Sequence, residues 1–186
     1  MSTGAVGLAQ APVRSSETSR VNWRPFCVAA VYALVLAAAI LRHEPWADEA
    51  QAWLLARDAS LWDLWTRLMH YEGSPGIWQT LLHFVVRIGV PYSAYRWIPG
   101  ILAFSAVWML VRYAPLPLFL RVLLPFTYFL CYQYAVIARS YALLAPLLFA
   151  TALIYPQAPR KPVLFTTLLC LIAGVSVHGF VIASCI

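Results

Sequence analysis

The sequence predicts an all-α fold, a polytopic transmembrane helical bundle, and three observations predict it. Of the 186 residues, 62% are hydrophobic and only 11% are charged. The mean hydropathy of +0.74 describes more apolar surface than a water-soluble domain can bury. The apolar residues also fall in runs. A hydrocarbon core about 30 Å thick takes roughly 20 apolar residues per helix, or fewer where flanking residues snorkel or the bilayer thins. Finally, the polar stretch after the first run is rich in tryptophan and acid, the composition of short helices seated at headgroup level.

Residues 1–23 are small and polar without periodicity, which predicts a disordered tail rather than a cleaved signal. Arg14, Arg20 and Arg24 precede the first apolar run and place that tail in the cytoplasm by the positive-inside rule. The first span is expected over 26–41, after Pro25, ending at Arg42-His43-Glu44-Pro45. The loop 42–76 is then extracytoplasmic. Further apolar segments fall near 77–90, 97–112, 116–137, 141–155 and 163–186. Strict alternation of all six would put Arg160 and Lys161 outside; a re-entrant or interfacial 77–90 would put them inside. Both topologies stay open. The last segment is still apolar where it stops, so residues 24–186 are expected to be part of a larger transmembrane module.

Composition also excludes some functions. The net charge of +6 comes from basic residues scattered singly along the chain, not gathered into the basic surface that binds nucleic acid. Cys27, Cys131, Cys170 and Cys185 sit within apolar runs without metal-ligand spacing and are expected to be small buried hydrophobes.

Every acidic residue except Glu17 lies between Glu44 and Glu72. A transporter of charged solutes usually keeps an ionisable residue inside its spans. The apolar segments here carry arginine and histidine but no carboxylate, so carboxylate chemistry is expected at the outer membrane surface. Within the loop, Asp48 with Gln51 and Ser60 with Asp63 have capping-box spacing, which predicts two short helices. Trp46, Trp53, Trp62 and Trp65 give those helices an apolar side. Each acid has a plain reading. Asp48 can be an N-cap, Glu49 a first-turn acid favoured by the helix dipole, Asp58 and Asp63 solvated or capping groups, and Glu72 a solvent-facing turn acid.

Glu44-Pro45-Trp46-Ala47-Asp48-Glu49-Ala50-Gln51-Ala52-Trp53, then Ala56-Arg57-Asp58, then Tyr71-Glu72-Gly73-Ser74-Pro75 with Trp78 resemble the first outer loop of bacterial GT-C membrane glycosyltransferases. The group in question is related to dolichyl-phosphate-mannose protein mannosyltransferases (family 39-like). Tyr132-Gln133-Tyr134-Ala135-Val136-Ile137-Ala138-Arg139-Ser140-Tyr141-Ala142-Leu143 is similar to a second passage of that family. The resemblance covers about 24–186, and because family members are far longer it implies an amino-terminal fragment. It implies a multi-pass protein of the bacterial inner membrane, within the cell envelope, whose partner is a polyprenyl-phosphate sugar lipid; the acceptor is unspecified.

By that resemblance Asp48 takes the catalytic acid/base position, with Glu49 as an orienting or auxiliary carboxylate. Glu72 takes the second acidic position, which binds a metal or positions the acceptor. A divalent metal would be held by Asp48 and Glu72. Arg139 suits a lipid phosphate, its guanidinium offering several donors, and its plain alternative is snorkelling at a helix end. His178 falls where relatives carry histidine, against the plain reading of a structural imidazole. Two departures stand out. Ser74-Pro75-Gly76 replaces the family's His-Pro-Pro, and Ile137 stands where many relatives carry glutamate. The competing functional class is a non-enzymatic transporter, flippase or accessory membrane subunit that recognises headgroups with the same loop.

Overall fold

The computed structural model describes residues 23–72 and 74–186, so the expected tail lies almost wholly outside the described residues. Among them the secondary structure is helical, with no strand. Three helices are long and apolar enough to cross a membrane: α1 (Arg24–Arg42), α5 (Tyr92–Tyr113) and α7 (Ser140–Gln157). Between α1 and α5 run α2 (Ala47–Asp58), α3 (61–72) and α4 (Ile77–Arg87). After α5 come the short α6 (Leu118–Leu123), then α7, α8 (Pro162–Ala173) and α9 (Val177–Cys185).

Pro25 opens α1, its fixed φ already suited to a first turn. Pro45 beyond the helix disfavours further helical turns. At 19 residues α1 is about 28 Å long, the thickness of a hydrocarbon core. Ala29, Tyr32, Leu36 and Ile40 recur three or four residues apart and are buried, which is one stripe of the helix. The opposite side carries Val31, Leu34, Val35 and Leu41, all exposed. Water would penalise that surface and lipid would not.

The buried stripe of α1 meets Ala103, Val107 and Val111 of α5 in one core cluster, which Ala135 and Val136 complete. Gly100 lets the two helices approach closely, because a Cβ there would lie 2.6 Å from Ile40 Cδ1. The Tyr32 hydroxyl donates to the Leu130 carbonyl at 2.6 Å and ties α1 to the irregular passage before α7. A second cluster joins Ala52, Trp53 and Ala56 of α2 to Trp78 and Leu82 of α4, with Tyr95, Ala138 and Ala142. In the same layer, His83 Nδ1 hydrogen-bonds the Ala56 carbonyl at 2.9 Å, fastening α4 to α2.

Three of the expected apolar segments are interrupted. Segment 77–90 ends its helix at Arg87, with Gly89 at φ 86°. Its 11 residues reach about 16 Å, too short for the hydrocarbon core and of a length that fits a re-entrant or interfacial element. Segment 116–137 breaks because Pro125 withdraws a backbone donor: α6 gives way to a 3₁₀ turn at Leu124–Phe126 and a π-helical stretch at Phe129–Gln133. Segment 163–186 breaks at Gly174, and the Ser176 hydroxyl restarts the chain by accepting from Gly179 N at 3.1 Å. Cys27, Cys170 and Cys185 are exposed on helix surfaces rather than buried, and all four cysteines are free.

Gly179 sits where α9 folds back on α8, and a Cβ there would lie 2.1 Å from the Ile172 carbonyl oxygen. The obstacle is the backbone of Ile172, which cannot swing aside as a flexible side-chain end could. Gly179→Ala is therefore expected to destabilise the α8–α9 turn by about 1–3 kcal/mol, read as a lower unfolding midpoint of the purified protein in detergent.

Candidate functional site

The loop helices form as expected, but the first is capped differently. The N-cap is Trp46, and the N3 residue Glu49 reaches back so that its Oε2 accepts from Trp46 N at 2.7 Å. Asp48 is thereby released from the capping role that its spacing to Gln51 suggested. α3 starts as predicted: Ser60 Oγ accepts from Asp63 N at 3.1 Å and donates to Asp63 Oδ2 at 2.7 Å. Asp58 is exposed and takes two hydrogen bonds from Arg57. Those bonds hold its carboxyl below the usual carboxylate range. Asp58 and Asp63 thus serve local contacts.

Glu49 is 2% exposed and does not reach the cleft that Asp48 faces. Besides Trp46 N, its Oε2 accepts from His43 Nε2 at 2.9 Å, and its Oε1 accepts from the backbone N–H of Ala138. The Ala138 carbonyl in turn accepts from the Tyr95 hydroxyl at 2.8 Å. One peptide segment is therefore gripped at both its N–H and its C=O by side chains from elsewhere in the chain. These bonds make Glu49 a fixing point for the backbone at Ala138, and Glu49 is not among the residues that line that cleft.

The grip on Ala138 fixes where Arg139 begins. Arg139 Nη1 lies 3.0 Å from Asp48 Oδ2, with side chains 45% and 56% exposed, so both groups remain open to an incoming molecule. Nearby, Gln51 Nε2 donates to Glu72 Oε1 at 2.7 Å. Asp48, Glu72, Arg139 and His178 all line one open cleft of about 480 Å³, together with Gln79 and Tyr141. This volume falls within the range of small-molecule sites. Four of the five site residues expected from sequence meet there, although they come from stretches as far apart as Asp48 and His178.

The cleft also contains residues that motif reasoning passed over. Gln79 is 3% exposed, and its Oε1 has no hydrogen-bond partner among the described residues. Its signal was present in the sequence: Gln79 and His83 are polar residues four apart on a helix that is otherwise apolar up to Arg87 except for Thr80. His43 was read only as part of a polar cluster ending the first span, yet its imidazole bridges Glu49 and the Tyr132 hydroxyl, the latter at 3.4 Å. Among the described residues no three His, Cys, Asp or Glu side chains gather as a metal-binding group. Asp48 and Glu72 provide two carboxylates on one cleft wall system, with Asp48 paired to Arg139 and Glu72 to Gln51.

The two adjacent acids should respond differently to loss of charge. Glu49→Gln places an amide N–H against groups that are themselves donors, in a buried setting, and is expected to cost about 2–4 kcal/mol of stability. Asp48→Asn loses only a half-exposed ion pair, worth up to about 1 kcal/mol. Unfolding midpoints of the two variants, measured side by side in the same detergent, check the contrast. In comparison with known proteins, no family model matches the chain, and neither a curated protein nor a solved structure matches it.

Proposed function

We propose that this chain is part of a GT-C-type membrane glycosyltransferase that transfers a sugar from a polyprenyl-phosphate donor to an acceptor outside the cytoplasm. The observation that carries this reading is the meeting of Asp48, Glu72, Arg139 and His178 around one cleft, with Arg139 paired to Asp48. Such a reaction needs a cation for the lipid phosphate and a carboxylate near the anomeric carbon, and this pair supplies both. The polytopic GT-C arrangement, the bacterial inner membrane and the extracytoplasmic placement of loop 42–76 belong to the same proposal.

The chemistry follows from the charges. Arg139 offers a planar fork of donors that suits phosphate oxygens as well as it suits a carboxylate. A donor phosphate entering the cleft competes for that guanidinium and frees Asp48. The acceptor hydroxyl oxygen then attacks the anomeric carbon, its proton passes to the Asp48 carboxylate, and the bond from that carbon to the phosphate oxygen breaks, its electron pair leaving with the phosphate. The developing positive charge on the sugar resembles that of glycoside hydrolysis, so the carboxylate of Glu72 stabilises it through space. Inversion at the anomeric carbon is the expected outcome.

Asp48 and Glu72 are the residues that would hold a divalent cation, since magnesium commonly takes one or two carboxylates beside a substrate phosphate. When bound it would offset charge on the leaving phosphate.

Membranes carrying the protein, supplied with labelled polyprenyl-phosphate sugars, test the reading. Asp48→Asn is expected to lower transfer by about 10²–10⁴-fold, the usual contribution of a positioned acid/base group, while donor binding persists. Arg139→Ala is expected to raise the KM for the lipid donor. If Asp48→Asn transfers at the wild-type rate, or if the wild-type protein moves lipid across the bilayer without making any glycoside, the enzymatic reading is abandoned.

A further inference from the structure

Gln79 lies in the first turn of α4, directly after Trp78, and both side chains are buried against the floor of the cleft. The Gln79 Oε1 is shielded from solvent and has no hydrogen-bond partner among the described residues. An unpaired buried carbonyl of this kind is uncommon in folded proteins, because leaving it unsatisfied costs about 1–3 kcal/mol. Packing alone does not explain it. An apolar residue of the same length would fill the space without that cost.

The surroundings indicate what the amide is for. Ser74, Ser140 and Ser176 bring hydroxyls to the cleft wall, and Tyr71 and Tyr141 bring aromatic rings with hydroxyl tips. The charge of Asp48 is met by Arg139, whereas among the described residues Glu72 is met by the neutral amide of Gln51. The side of the cleft near Glu72 therefore disfavours a second carboxylate and accepts neutral donors. A hydroxyl both donates and accepts, so it can pair with the Gln79 amide once that side chain turns its polar end into the cleft it lines.

We infer that Gln79 recognises the sugar itself, hydrogen-bonding a ring hydroxyl of a neutral pyranose seated on the cleft floor, and that the site selects against uronic acids. This rests on the transferase reading for the identity of the donor, but not for the binding of a sugar. A site built to hydrogen-bond a hydroxyl discriminates strongly against an analogue that lacks it, since its own polar group is then left unpaired.

The test uses wild-type protein and two variants, Gln79→Leu and Gln79→Glu, reconstituted in nanodiscs to avoid glycosidic detergents. Binding of the methyl pyranosides of glucose, galactose and mannose, and of methyl glucuronide, is followed by saturation-transfer NMR, which requires no chemistry. At least one neutral glycoside is expected to bind wild type, with methyl glucuronide binding at least tenfold more weakly. Gln79→Leu is expected to lose about tenfold or more of that affinity while its unfolding midpoint stays level or rises, because an unsatisfied polar group has been removed. A singly deoxygenated glycoside series completes the experiment: one missing hydroxyl should cost affinity in wild type and nothing further in Gln79→Leu. Equal binding of neutral glycosides by wild type and both variants, or no binding of any glycoside by wild type, overturns the inference. So does binding of methyl glucuronide as tight as that of the neutral sugars. Gln79-dependent binding without transfer from any lipid donor would leave the sugar site standing and remove the transferase reading.

Discussion

The buried carboxylate of Glu49 is the constraint around which this structure is organised. It accepts from His43, from the backbone of Trp46 and from the backbone of Ala138, so it joins the end of α1, the start of α2 and the entry to α7. A buried charge is costly unless its lone pairs are all met. Here three donors meet it, two from the turn at 43–46 and one from Ala138 far along the chain. Without that tether the second core cluster, from Trp53 across to Ala142, would lack its polar register. The cleft above it would lose a wall.

The division of labour between neighbours follows from helix geometry. Asp48 and Glu49 are consecutive, so they project about 100° apart around α2. One carboxylate turns inward to donors that fix the backbone, and the other turns outward to a guanidinium that a phosphate can claim. The same rule separates Trp78 and Gln79, which share the cleft floor, from Phe84 on the exposed side of α4. An exposed ion pair and a buried tether thus come from adjacent residues with different surroundings.

Much of this was legible in the sequence, and the rest was hidden for physical reasons. The first span, both loop helices and the Ser60 cap follow from local signals: Pro25 at the start, apolar runs, and a hydroxyl three residues before an acid. The interruptions at 116–137 and 163–186 were less visible because composition there is uniformly apolar. Pro125 and Gly174 act through backbone geometry, which hydropathy does not register. Asp48, Glu72, Arg139 and His178 could be named from motif positions, but the meeting of Asp48 with Arg139 depends on Glu49 holding Ala138, a contact across 89 positions. Periodicity carries no record of such a pairing. Gln79 and His43 escaped motif reasoning because their roles come from burial, which a single sequence shows for Gln79 as a polar residue on a mostly apolar helix and hides for His43 within a polar cluster.

The peptide at Ala138 is gripped by Glu49 on one side and Tyr95 on the other, whereas the Asp48–Arg139 pair stands half in solvent. The atoms that hold the fold and those that face the cleft are therefore different ones. A chain built this way can exchange the groups in its mouth without unravelling beneath them, so the scaffold tolerates drift in what it handles far better than drift in how it is tied together.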